Sequence, residues 1–203
     1  MGAPPDDGRG PGRPGPLLPD PTDGLGGEER AEYDRMAVVR SHAEGAARLG
    51  QVYALMFNDP STAVRVGALG EHLRFGGVLP DDVRELCILR FAARKGYGYE
   101  WAHHLRPADL AGIDAATIDA LAAGDVPDGL RPDRSAALRA VDAVVEDRRL
   151  DDGLYDELVA AFGTRGAVEL VVLCGLYGVM GSMVTAFGIP VEDDLPTPPS
   201  PPF

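Results

Sequence analysis

The chain has 203 residues and a mass of 21.4 kDa, enough for one good-sized domain that buries a real core without covalent staples. A formal net charge of -13 with a single lysine, Lys95, argues against a nucleic-acid partner, because phosphate recognition needs clustered cations. No basic segment followed by an apolar run opens the chain, and the two cysteines, Cys87 and Cys174, stand far apart in apolar runs, so a small core role for both in a reducing cytoplasm is expected.

Residues 1–27, "MGAPPDDGRGPGRPGPLLPDPTDGLGG", are too rich in Gly and Pro for a helix or strand to persist and read as a disordered or extended leader. The Pro-rich tail, 195–203, reads the same way. Between them nearly every segment carries helical periodicity. Residues 27–57 open with acids in the first turn and continue as one alanine-rich helix. In 59–75, Asp59 or Ser61 is the expected N-cap, with Pro60 in the first turn. Residues 80–96 are apolar almost all round from Leu86 to Ala93, stop at Gly96, and predict a central buried helix.

The next helix is expected from 97 toward 111, with Pro107 kinking or breaking it near Arg106. A short helix over 114–124 takes Asp114 as its cap, and further helices follow over 131–150 and 151–163. The last capped element is the apolar run 166–188, with Thr164 at its start. That run is long enough to span a bilayer, but it carries Glu169 and several glycines, so a buried core or subunit-interface helix is the expectation, not a membrane span. No β-branched alternation bounded by hairpin turns occurs, and the fold class is all-α.

"YGYEWAHH", residues 97–104, holds two of the four histidines and the only tryptophan. On a helix, Tyr97, Glu100 and His104 share one stripe, while Trp101 and Leu105 lie on another face that can anchor in the core. Glu85 begins the apolar run of the preceding helix and is drawn toward the interior, where a carboxylate needs a partner. His104, nineteen residues on, is the natural one across a helical hairpin turning near Gly96. The unit Glu100-x-x-His103 is the building block of helical di-iron sites, but such a bundle needs it twice and it occurs once, so no metal is expected.

The stretch "LPDDVRELCILRFAARKGYGYEWAHHLRPADLAGI" resembles the signature of the alkylhydroperoxidase/carboxymuconolactone decarboxylase family, in which a glutamate precedes a Cys-x-x-Cys-x-x-x-His motif. The pattern falls on Glu85 and then Tyr97, Glu100 and His104, so both motif cysteines are replaced. With the flanking "PSTAVRVGALGEHLRFGG" and "VELVVLCGLYGVMGSMVTAFGIPVEDD", the resemblance covers residues 28–194 as a single domain. It implies an alkylhydroperoxidase-like helical bundle with a central helical hairpin, and a homo-oligomer, trimer or hexamer. Without a thiolate pair, a thiol peroxidase is not expected.

What remains is similar to a cofactor-free acid/base lyase, decarboxylase-like, acting on an unsaturated lactone acid or related carboxylated small molecule. A cyclase, dehydratase or isomerase of a natural-product intermediate would use the same groups, and a catalytically inert oligomeric scaffold is the alternative from another class. In the enzyme reading His104 is the principal acid/base, Glu85 its orienting partner, Glu100 a second proton-transfer group and Tyr97 a hydrogen-bond donor to substrate oxygen. His103, Arg90 and Trp101 are expected on the substrate-binding side, Arg90 as an anion-binding cation.

Overall fold

The computed structural model describes residues 15–44 and 49–198, apart from the side chains of 41–44. The described chain is built from α1 (Gly27–Glu44), α2 (Gln51–Met56), α3 (Pro60–Glu71), α4 (Asp81–Lys95), α5 (Gly98–Leu110), α6 (Ala115–Ala122), α7 (Pro132–Val145) and α8 (Asp152–Phe187), with a π-helical turn at His72–Gly76. It contains no strand among these residues.

Three aspartates start helices in the way short acceptors do: Asp59 Oδ1 accepts from Thr62 N, Asp114 Oδ1 from Thr117 N, and Asp151 Oδ1 from Leu154 N. Each such cap contributes about 1 kcal/mol. The α4 helix ends at Gly96, whose φ of 69° suits a residue without a Cβ. The amide of Tyr97 then bonds back to the Ala92 carbonyl, and the chain turns into α5.

All of 83–93 in α4 is buried, because the helix lies between two apolar layers. On one side Val83, Cys87, Ile88 and Phe91 join Leu170, Leu173 and Met180 of α8; on the other Leu86 and Leu89 meet Trp101, Leu121 and Leu138. Each fully buried large side chain contributes roughly 1.5–3 kcal/mol. Such a position leaves no water for a charge, so Arg84, Glu85 and Arg90 each need protein partners.

Three local expectations are revised. Residues 27–57 are not one helix: α2 begins afresh after Gly50, whose ψ of 146° is extended, and the Gln51 amide is taken by the Glu192 carboxylate. Pro107 does not end α5, which continues to Leu110; buried Ala108 and Ile113 hold its last turn, and Ile113 N bonds Ala108 O. The elements 151–163 and 166–188 are two helical segments, as expected: α8 is broken between them at Gly163, whose φ of 70° and ψ of 171° are non-helical. In that region essentially only glycine is at ease.

The third revision concerns the leader. Residues 1–14 lie outside the described residues, but 15–26 are laid on the bundle: Leu17 N bonds Phe187 O, and Leu18 and Leu25 pack on the core. Apolar leucines among the prolines supply that attachment. At the far end α8 faces two environments. Leu170, Leu173, Leu176 and Met180 are core, whereas Val168, Val171, Val172 and Val179 are exposed. Among the described residues α8 alone is long and apolar enough to cross a membrane.

Candidate active site

Glu85 stands in the second turn of α4 and His104 in the second turn of α5, and the hairpin brings Glu85 Oε2 to 2.7 Å from His104 Nδ1. Both are buried. The other carboxylate oxygen, Oε1, accepts from Nε and Nη2 of Arg84, each at 3.1 Å. Arg84 is itself anchored by Asp81 Oδ1 at 2.7 Å and the Arg74 carbonyl at 3.1 Å.

Burial on its own would raise the Glu85 carboxyl pKa. The adjacent His104 and the Arg84 guanidinium outweigh it and hold Glu85 below the usual carboxylate range. An ionised Glu85 only accepts hydrogen bonds, so His104 Nδ1 carries the proton and donates it. The ring is thereby fixed with Nε2 pointing away from α4. At 2.9 Å from Nε2 lies the hydroxyl of Tyr177, from α8. Burial, together with the charge on Glu85, pushes the Tyr177 phenol well above its ordinary value, so it stays protonated at neutral pH. With a neutral imidazole, Tyr177 donates to Nε2; with an imidazolium, Nε2 donates to Tyr177.

The chain Glu85, His104, Tyr177 opens on a cavity of about 50 Å³. That is room for a few water molecules, so a larger ligand enters only as the lining opens. Arg40 from α1, Arg74 from the π turn and Arg84 share the wall with Glu100 and His103. The Arg40 guanidinium lies over the Tyr53 ring, 3.7 Å from its centroid, and Nη2 donates to Gly67 O at 3.3 Å. Three guanidiniums around one small cavity favour an anionic occupant.

A second imidazole has its own carboxylate. His103 Nε2 lies 2.8 Å from Glu192 Oε2, and Oε1 accepts from the Tyr99 hydroxyl at 3.0 Å and the Gln51 amide at 2.9 Å. Burial again opposes ionisation of Glu192, but the His103 contact and the Gln51 N–H lower it to about 2.

Of the residues singled out in the sequence, Glu85, Glu100, His103 and His104 meet at this cavity. Three do not. Tyr97 faces an outer groove beside Phe91 and Gly178, with its ring against Gly181, because it caps α5 instead of lying along its inner stripe. Trp101 is core, packed with Leu86 and Leu89. Arg90 is not an anion receptor here: Nε and Nη2 clamp Asp142 at 2.8 and 3.0 Å, and Nη1 serves the carbonyls of Gly124 and Asp125. Its role is to join α4 to α7 and the loop after α6.

Sequence reasoning passed over Tyr177, Glu192, Tyr99 and the arginines 40, 74 and 84. Arg84 had a signal, standing beside a glutamate drawn into the core. Tyr177 was hidden in an apolar run. Neither Glu169 nor Glu71 approaches the cavity: Glu169 accepts from Val78 N and Arg165, and Glu71 from Arg35. Among the described residues no group of three or more His, Cys, Asp or Glu side chains converges as metal ligands would.

Residues 60–143 match the model of the carboxymuconolactone decarboxylase family. Over this segment the chain is similar to that family. The matched segment carries Glu85, Glu100, His103 and His104, while Arg40 and Tyr177 reach the cavity from outside it and Glu192, also outside it, contacts His103. No curated protein matches the sequence significantly.

Among solved structures, a cysteine-to-alanine variant of the debrominase Bmp8, in complex with 2,3,4-tribromopyrrole, is similar with a TM-score of 0.69 and 17% identity, covering 87% of this chain and 91% of that one. An alkylhydroperoxidase AhpD core protein, peroxidase-related, from Ralstonia eutropha JMP134 is similar with a TM-score of 0.75 and 17% identity, covering 90% and 95%. At these identities the likeness establishes the alkylhydroperoxidase-like, all-α fold.

Both cysteines of this chain are buried and free. Burial pushes the Cys87 thiol well up, with Cys174 close enough to add to the shift, and burial pushes Cys174 to about 12. Neither is a thiolate near neutral pH, and a thiol is a poor nucleophile.

Proposed function

We propose that the protein is an acid/base enzyme, a decarboxylase-like lyase that acts on an unsaturated lactone acid or a related small carboxylate. The observation that carries this reading is the hydrogen-bonded chain from Glu85 through His104 to Tyr177, ending on a cavity walled by arginines.

The substrate carboxylate is drawn to the guanidiniums of the wall. As the bond to the carboxyl carbon breaks, carbon dioxide leaves and the electron pair passes into the conjugated system. The remote carbon then takes a proton from the His104 and Tyr177 end of the chain. Glu85 keeps its negative charge throughout, which stabilises the imidazolium before transfer, and His104 is recharged from water. General acid help of this kind is worth about 10²–10⁴ in rate. The neighbour Bmp8 is a debrominase; the buried, protonated thiols of this chain favour imidazole chemistry over thiolate attack.

We also propose a soluble homo-oligomer, supported by the exposed valine stripe on α8, which continues through Gly175 where a Cβ would meet nothing. A panel of unsaturated lactone acids, with carbon dioxide release and product mass as readouts, tests the function. Release of carbon dioxide supports it. Turnover without mass loss shifts the reading to an isomerase or cyclase, and no turnover of any acid in the panel counts against it.

A further inference from the structure

The cavity has two imidazoles, and the chain Glu85, His104, Tyr177 uses only one. His103 follows His104 in sequence and also lines the cavity, but its ring is turned by a different carboxylate, supplied by the segment after α8. That segment is pinned in place. Gly188 ends α8 with φ 62°, Ile189 N bonds Val184 O, Ile189 is buried, and Leu195 N bonds Glu192 O. From there the Glu192 side chain, 3% exposed, spends Oε1 on Tyr99 OH and Gln51 N and presents Oε2 to His103 Nε2.

Tyr99 is arranged around the same pair. Its hydroxyl accepts from Val52 N at 3.2 Å while donating to Glu192, and its ring lies 4.3 Å from that of His103 at 32°. Three elements, α2, α5 and the segment after α8, therefore converge to hold one histidine ring in one orientation. A merely solvated histidine would need none of this.

We propose that His103 is a second proton-handling residue of the site and that Glu192 is its positioning residue, so that the cavity offers two independently oriented imidazoles, His103 and His104. The inference rests on the acid/base reading above and extends it to chemistry needing protons at two positions of one ligand: removal at one atom and delivery at another. The proton that His103 gives up goes to a ligand carbon or oxygen, and His103 takes its replacement from water, to which its partly exposed ring has access. Glu192 engages Nε2 and so sets how the His103 ring is presented to the cavity.

The charges around His103 set its titration. On α5 these are His104 and Glu100, on the C-terminal segment Glu192, and across the cavity Arg40, Arg74, Arg84 and Glu85, with the neutral phenols of Tyr53, Tyr99 and Tyr177 between them. Glu192 is bonded to the His103 ring and Glu85 to the His104 ring, so removal of the Glu192 charge acts on His103 and leaves the Glu85 contact of His104 intact.

The test uses the full chain with Glu192→Gln, Glu192→Asp and His103→Gln, the last keeping an N–H that can reach Glu192 while losing the ability to exchange a proton. Histidine ring titrations by NMR come first and need no substrate. Glu192→Gln is expected to lower the His103 titration midpoint by on the order of one unit, with His104 unmoved. Equal titration of His103 in wild type and Glu192→Gln overturns the positioning role, whatever becomes of the lyase reading.

With a turned-over acid in hand, His103→Gln should lose on the order of tenfold or more in kcat and one limb of the pH profile, and Glu192→Asp should recover part of the Glu192→Gln loss. Full kcat and an unchanged profile in His103→Gln overturn the proton role. If Glu192→Gln fails to fold, Glu192→Asp and His103→Gln carry the same two readouts.

Discussion

Replacing Glu85 with glutamine removes one negative charge and almost no volume. In the folded protein that charge faces His104 at 2.7 Å and two Arg84 nitrogens at 3.1 Å, with Glu85 1% exposed. Breaking a buried ion pair by losing one partner costs about 3–5 kcal/mol. Arg84 keeps Asp81 and the Arg74 carbonyl, and the amide keeps one oxygen acceptor, so the loss should fall to about 2–3 kcal/mol at pH 7. For a chain of this size that lowers Tm by roughly 5–10 °C.

The pH dependence has a definite sign. The Glu85 pKa is depressed in the folded state, so its contribution is fully present above the ordinary value of 4.5 and is lost as pH falls toward and through the folded value. Thermal melts of wild type and Glu85→Gln, followed by circular dichroism at pH 7 and pH 4, should therefore show a gap that narrows at the lower pH. A variant that melts at or above wild type at pH 7, or a gap of the same size at both pH values, would refute this electrostatic account.

Acid titration of stability in wild type and Glu192→Gln checks the second carboxylate: its lowering from 4.5 to about 2 corresponds to roughly 3 kcal/mol, present above pH 4.5 and lost toward pH 2, and the variant should show a flatter curve. Thiol labelling with a bulky disulfide reagent at pH 8 should modify neither Cys87 nor Cys174 in the native protein and both in denaturant; rapid native labelling would contradict their burial. Gly163→Ala should lower stability by about 1–3 kcal/mol in denaturant unfolding, since its φ of 70° with ψ 171° admits no Cβ without strain.

The hairpin at the centre of the site was legible because its signals are local. A run of apolar residues interrupted by Glu85, a glycine stop at 96 and a histidine nineteen positions on suffice to bring the pair together. The cap at Asp114 was readable for the same reason, and Asp59 was one of the two candidates for its helix. What escaped depends on contacts distant in sequence. Tyr177 meets His104 across 73 positions and Glu192 meets His103 across 89, and neither residue stands out from its own neighbours. Arg90 was misplaced because a charge in an apolar run reads alike whether it awaits a ligand or, as here, clamps Asp142. Tyr97 satisfied the helical spacing, but as the N-cap of α5 it precedes the helix whose stripe it was expected to share.

Carbon dioxide release from an unsaturated lactone acid, measured in parallel for wild type, His104→Ala and Cys87→Ser, decides between imidazole and thiol chemistry. A fall of about a hundredfold or more in His104→Ala, with Cys87→Ser close to wild type, is the outcome expected of a proton-transfer site built on Glu85 and His104. Undiminished release by His104→Ala, or its abolition in Cys87→Ser with the fold intact, would contradict it.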